Sequence, residues 1–431
     1  MLIKNAQCVI LVPPSIEQTD IRIENGTVAE CGGNLLASQG EDVLDLHGKV
    51  VMPGFVCAHT HLYSTLSRGM PPPKNPPKNF LEILQNIWWR LDRALDDESI
   101  YYSALIGAIE AIRCGTTTLV DHHSSPQAIK GSLDIIKEAL GKVGMRGVLC
   151  FEVTDRGGGK ERDSGLDENE RFLRANGSDA QFRGLVGAHA SFTLSNDSLH
   201  LCGEMAARHK TGVHIHVAED KCDAADAMDK YKSAVIDRLL EHGILRKESI
   251  LAHCIHVPPG DFPKLHTANS WLVHNPRSNM NNHVGYAPVH NFGERAALGT
   301  DGFAADMIEE VRMGFFKMKD SECGMQGSLP IDFLQGGQRL VSEIFGSEFG
   351  TLASGSVADL IVLDYDPPTP MTEINLVWHF LFGFRSSMVE SVMVAGKWVV
   401  KDREVVGVDV PSEYRKAAKV TNMLWDRMEN L

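Results

Sequence analysis

His59-Thr60-His61 closes the apolar run VVMPGFVCAH. Alternate residues of an extended chain share a face, so the spacing points both imidazoles the same way. Imidazole is the commonest ligand of transition metals, and two from one strand make half a tetrahedral shell. His216, in His214-Ile215-His216-Val217-Ala218-Glu219, ends a second such run and is the expected third ligand. His214 shares its face one layer deeper and reads as a buried, hydrogen-bonded residue, or else as the rival ligand. Asp301 ends the run AALGTD. A carboxylate there is costly to bury unless it is paired or metal-bound, so it is expected as the fourth metal contact and as a proton acceptor.

Three His and one Asp leave a position for water. A divalent metal there lowers the pKa of bound water from about 16 to about 7. Zn2+ is the first expectation, with Fe2+ or Mn2+ as alternatives, because N/O shells accept several metals. Glu219, three residues after His216, can reach the site without being a ligand. His253, in LAHC, is expected to polarise the water or stabilise an oxyanion. Asp301 takes a proton and Glu219 donates one to a ring nitrogen. The set suits addition of hydroxide to an electron-poor C=N carbon and expulsion of ammonia.

These residues need a scaffold that gathers them. Eight apolar, β-branched runs recur between residues 50 and 301, each followed by a turn and a helical pattern. Continuous apolar runs indicate strands buried on both faces. The eightfold alternation predicts a (β/α)8 TIM barrel, whose active site lies at the C-terminal ends of the strands. Seven of the eight runs carry His or Asp there. Both chain ends alternate in period two instead and read as antiparallel strands. The expected division is a composite β-sandwich domain from 1–53 and 350–410, the barrel at 54–349, and a C-terminal helix at 411–431. That helix offers a contact for a homodimer or higher homo-oligomer.

Composition narrows the class. Hydrophobic residues make up 43% and charged residues 23%, ordinary for a globular protein and wrong for a disordered one. A net charge of −14 argues against nucleic-acid partners. No stretch approaches the ~18 apolar residues of a membrane span, and no signal peptide is evident, so neither a membrane partner nor secretion is expected. Nine scattered cysteines, without a CxxC pair, suggest reduced thiols in the cytoplasm.

PGFVCAHTH, HVAE, LAHC, HNPRSNM and LGTDG, in this order and with the split terminal β-domain, resemble the amidohydrolase superfamily. Within it the chain is similar to the mononuclear branch of cytosine, guanine and S-adenosylhomocysteine deaminases and triazine chlorohydrolases. The resemblance implies His59, His61, His216 and Asp301 as metal ligands, Glu219 as proton shuttle and His253 as the strand-six histidine. Binuclear relatives use a modified lysine after strand four. Gly187-Ala188-His189-Ala190 stands there without one, which implies a single metal. Related deaminases contact substrate from that strand, so His189 is the expected specificity residue. Trp88, His122 and Asn279 are further expected substrate contacts, while His123, His256 and His274 stay open. The implied reaction is deamination of a purine-, pyrimidine- or pterin-like small molecule. Hydrolysis of a cyclic amide or of a C–Cl bond on a triazine-like ring is the second reading. A non-catalytic metal-binding scaffold is the third.

Overall fold

The computed structural model describes residues 1–321 and 328–431. Its first five strands are β1 (Leu2–Leu11), β2 (Pro14–Glu24), β3 (Thr27–Gly32), β4 (Val43–Asp45) and β5 (Val50–Pro53). Four more come from the other end: β15 (Leu360–Leu363), β16 (Val389–Val394), β17 (Lys397–Lys401) and β18 (Glu404–Val405). They join in the order β18-β17-β16-β15-β5-β1-β2-β3, with β4 added on β1. The two-layer sandwich expected from the sequence is therefore one hydrogen-bonded sheet, drawn from both ends of the chain.

Period two explains how this sheet serves two cores. Ile3, Ala6, Cys8, Val51, Leu360, Val362 and Met393 face a core within the sheet's own curl. Their neighbours Val9, Val50, Met52, Ile361, Leu363 and Val392 face the rest of the chain. Each such buried Val or Ile contributes roughly 1.5–3 kcal/mol, so the sheet is fastened to the barrel by several residues at once. A buried ion pair between Arg146 and Asp359 crosses the same junction.

Between the terminal segments run β6 (Phe55–Thr60), β7 (Thr116–His123), β8 (Arg146–Phe151), β9 (Phe182–Gly184) with β10 (Val186–Ala190), β11 (Val213–Val217), β12 (Ile250–His253), β13 (Trp271–His274) and β14 (Ala296–Leu298). All neighbours are parallel. β9 and β10 act as one strand broken at Leu185, the first pairing with β8 and the second with β11. The ring closes where Thr300 and Asp301 donate to His59 O at 2.9 and 3.1 Å. Gly299 permits that closure, since a Cβ there would lie 2.7 Å from His59 O and 2.4 Å from Asn275 Oδ1. The result is a barrel of the TIM type, with the eight runs of the sequence as its strands.

The C-terminal helix, Val410–Glu429, buries Val410, Ala417, Val420, Leu424 and Met428. The three- and four-residue spacing makes one apolar stripe. That stripe packs on the chain's own barrel. Trp425 Nε1 donates to Leu66 O at 3.0 Å and Arg427 Nε to Ala94 O at 2.7 Å, tying the helix to segments beside the barrel mouth. Among the described residues eight cysteines are free, and Cys323 lies outside them. No helix among the described residues is long and apolar enough to cross a membrane.

Candidate active site

Seven site residues sit on, or just past, the C-terminal halves of strands. β6 carries His59 and leads directly into His61, and β11 carries His214 and His216. β12 ends at His253 and Asp301 follows β14, while Glu219 lies two residues beyond β11. Ala218, His253 and Asp301 have φ of +47°, +72° and +53°. Left-handed backbone of this kind costs about 1–3 kcal/mol per residue, and here it turns side chains at the strand ends toward one centre. Asp223 Oδ2 accepts the Ala218 N–H at 2.9 Å and so holds the turn that carries Glu219.

His59, His61, His216 and Asp301 offer one ligand atom each, all within 4.8 Å of one another. His61 Nε2 is 2.9 Å from Asp301 Oδ1 and 3.1 Å from His216 Nε2, and His59 Nε2 is 3.3 Å from Asp301 Oδ1. The opposite nitrogens are committed elsewhere. His61 Nδ1 donates to His122 O at 2.6 Å and His216 Nδ1 to His189 O at 2.9 Å. His59 Nδ1 is 2.8 Å from His214 Nε2, whose own Nδ1 is 3.7 Å from Cys150 Sγ. That chain fixes His214 as the buried support of His59. Three Nε2 atoms and a carboxylate oxygen therefore converge, and His59 Nε2 is buried without a hydrogen-bond partner. Such a donor set fits one divalent cation.

Electrostatics agree. Burial lowers the His59 pKa to about 3 and pushes that of His216 well below its usual value, so both are neutral and free to ligate. Burial also depresses His61, but Asp301 more than reverses this and raises it to about 9. Burial works against the charged form of Asp301, yet His59 and His61 hold its carboxyl well below the usual range. Ser278 Oγ donates to its other oxygen, Oδ2. Beside this cluster Glu219 Oε2 lies 3.5 Å from His253 Nε2, and Glu219 Oε1 accepts from Asn282 Nδ2 at 3.4 Å. Burial raises the Glu219 carboxyl to about 7.

A cavity of about 590 Å³ opens onto these groups, lined by His61, His216, Glu219 and Asp301. His189, Trp88 and Trp89 also line it. Trp88 ends a π-helical turn, Leu84–Trp88, that follows the Pro-rich loop. Burial holds His189 near a pKa of 4. Two expected substrate contacts do not reach the cavity. Asn279 is buried behind His253 and accepts from its Nδ1 at 2.8 Å. His122 lies in the His214 layer, bonded through Nε2 to Ala188 O and His214 O, both at 3.1 Å. His123 pairs with Ser125 at 2.9 Å, His256 donates to Val284 O at 2.8 Å, and His274 packs on Tyr286 and Phe292.

Sequence reasoning passed over Glu152, Asp92 and Arg156. Glu152 directly follows β8 and lines the cavity. The rule that drew attention to Asp301, an acid at the end of a buried strand, applies equally to it. Arg156 Nη2 pairs with Asp92 Oδ2 at 2.5 Å, a contact between a turn and the helix Trp89–Ala94 that no local pattern announces.

Residues 50–399 match the Amidohydrolase family. A 5-methylthioadenosine/S-adenosylhomocysteine deaminase of Caldanaerobacter subterraneus is 28% identical over 434 residues, covering 97% of each chain. A 5'-deoxyadenosine deaminase of Methanosarcina mazei is 28% identical, covering 100% of this chain and 99% of the relative. Among solved structures, a zinc-bound adenosine deaminase of Xanthomonas campestris superposes with a TM-score of 0.86 at 20% identity, covering 100% of this chain and 98% of that one. The last likeness speaks for the fold.

Proposed function

The chain belongs to the amidohydrolase family, and on that premise we propose that it deaminates aminated N-heterocycles with one divalent metal ion, Zn2+. The observation that carries this reading is the placement of Glu219 and His253, 3.5 Å apart, beside the converging His59, His61, His216 and Asp301. A metal set alone would serve many hydrolyses. An acid and a histidine next to it supply the proton transfers that loss of ammonia requires.

His59, His61, His216 and Asp301 would hold the cation. Bound there, it supplies Lewis-acid activation of water at neutral pH. Asp301 accepts a proton from the attacking water. Glu219, held by Asn282 and raised toward neutral pKa by burial, gives a proton to the ring nitrogen adjoining the C–NH2 carbon. His253 Nε2, whose ring proton sits on Nδ1 and is held by Asn279, can accept a hydrogen bond from the attacking water and so orient it. The amino group then takes the proton held by Asp301 and leaves as ammonia, while the added hydroxyl returns its proton to Glu219 and the ring keeps a carbonyl. The cavity wall of Trp88, Trp89 and His189 accepts a flat ring. The free cysteines support a cytoplasmic location.

The test is a screen for ammonia release over aminated purines, pyrimidines, pterins and their nucleosides, with metal content measured on the same sample. Ammonia with one zinc per chain is expected. Chloride from chlorotriazines, or a ring-opened acid from cyclic amides, with no ammonia from any ring, overturns the reading.

A further inference from the structure

One wall of the cavity is short of hydrogens. Glu152 and His189 both line it, with Glu152 Oε1 3.6 Å from His189 Nε2 and Glu152 Oε2 3.4 Å from His122 Nδ1. A charge-assisted N–H···O bond runs at about 2.7–2.9 Å, so neither contact has that form.

Tautomers explain why. Thr193 Oγ1 donates its one hydrogen to Ala190 O at 3.1 Å, so it can only accept from His189 Nδ1, 2.6 Å away. The His189 proton is therefore on Nδ1, and Nε2 keeps a lone pair. His122 Nε2 meets two carbonyls, which only accept, so its Nδ1 keeps a lone pair as well. The nearest cation is Arg156, with Nη2 3.9 Å from Glu152 Oε1. That group is engaged by Asp92, and its guanidinium lies over the Trp89 ring at 4.9 Å. Glu152 is only 3% exposed, lines the cavity and accepts no hydrogen bond from the described residues through its side chain. An acceptor without a protein donor costs least where it stays open to solvent or a ligand. Here the free acceptors face a space that a ligand enters.

We propose that Glu152 and His189 form an acceptor pair that selects a heterocycle bearing a second N–H donor, an amino group or ring N–H, besides the amino group that is removed. The identity of the ligand as an aminated ring rests on the deaminase reading. The acceptor pair itself rests on the hydrogen-bond pattern.

Binding and turnover can be read separately. Glu219→Gln serves as a slow-turnover background, loaded with zinc. By calorimetry it should bind 2,6-diaminopurine and its riboside about tenfold more tightly than adenine and adenosine, and 2,4-diaminopyrimidine more tightly than 4-aminopyrimidine. Adding Glu152→Gln puts an N–H donor on the wall and should erase or reverse the preference, with zinc content and melting temperature unchanged. Equal binding of both rings of each pair overturns the proposal. So does a zinc content that falls from two to one on Glu152→Gln, since the acceptors would then be a second metal site. A diamino preference without ammonia release from the wild-type protein supports the acceptor pair and overturns the deaminase reading instead.

Discussion

Asn279 Oδ1 accepts a hydrogen bond from His253 Nδ1 at 2.8 Å, which leaves His253 Nε2 bare and 3.5 Å from Glu219. The contact decides which nitrogen faces the site. Loss of such a partner costs about ten- to a hundredfold in activity. Asn279→Ala should therefore lower kcat by that amount and leave KM and zinc content near wild type. Asn279→Asp keeps an acceptor and should recover part of the loss. A rise in KM with kcat intact would return Asn279 to the substrate-binding role suggested by its sequence neighbourhood.

Glu219 stands outside the group of His59, His61, His216 and Asp301, but shares a second possible donor group with His253 and Asp301. Glu219→Gln keeps its volume and its contact with Asn282 but cannot carry a proton. Turnover should fall roughly 10²–10⁴-fold, while metal analysis still finds one zinc per chain. Zinc lost together with activity would make Glu219 a ligand and remove the proton shuttle from the mechanism.

Legibility followed the reach of local geometry. His59, His61, His216 and Asp301 were readable because strand periodicity sets a face and a run's end marks the barrel rim. The eight strands were readable for the same reason. His122 also ends a run, yet it lies in the deeper His214 layer, since sequence does not encode the stagger between β7 and its neighbours. Asn279 shares the short helix Pro276–Asn281 with Ser278, which lines the cavity with Arg277 and Asn281 while Asn279 does not. One helical position separates Ser278 from Asn279, and their orientation depends on how that helix docks. The terminal strands were legible as strands, but alternation alone did not distinguish two stacked sheets from one curled sheet with a core on each face.

His61 and Asp301 share a proton where the cation belongs, and Asp301 raises His61 to about 9 despite its burial. His59 and His216 are neutral at pH 7 because burial lowers them. A ligating histidine must be neutral. Zinc binding at pH 7 should therefore release about one proton, and affinity should rise about tenfold per pH unit between pH 6 and 8. Calorimetric titration of metal-free protein in two buffers of different ionisation enthalpy measures the release directly. A heat independent of the buffer would mean that His61 carries no proton in the metal-free site.

Asp223 gives a pH signature away from the metal. Burial raises its carboxyl from 3.8 to about 7, and its Oδ1 meets no hydrogen-bond donor. The folded chain then keeps a proton on Asp223 up to about pH 7, while the unfolded chain releases it near pH 4. Between those values the folded state binds more protons, so this group's contribution is complete below pH 4 and is lost as pH rises toward 7. The slope is at most about 1.4 kcal/mol per pH unit. Asp121 and Glu310, also raised to about 7 by burial, act in the same direction, so one substitution should flatten the trend without abolishing it. Asp223→Asn keeps an oxygen for the Ala218 N–H and cannot ionise. The fall in melting temperature from pH 5 to pH 8 should be smaller in this variant by a few degrees, and equal falls in the two proteins would show that Asp223 is already charged at pH 5.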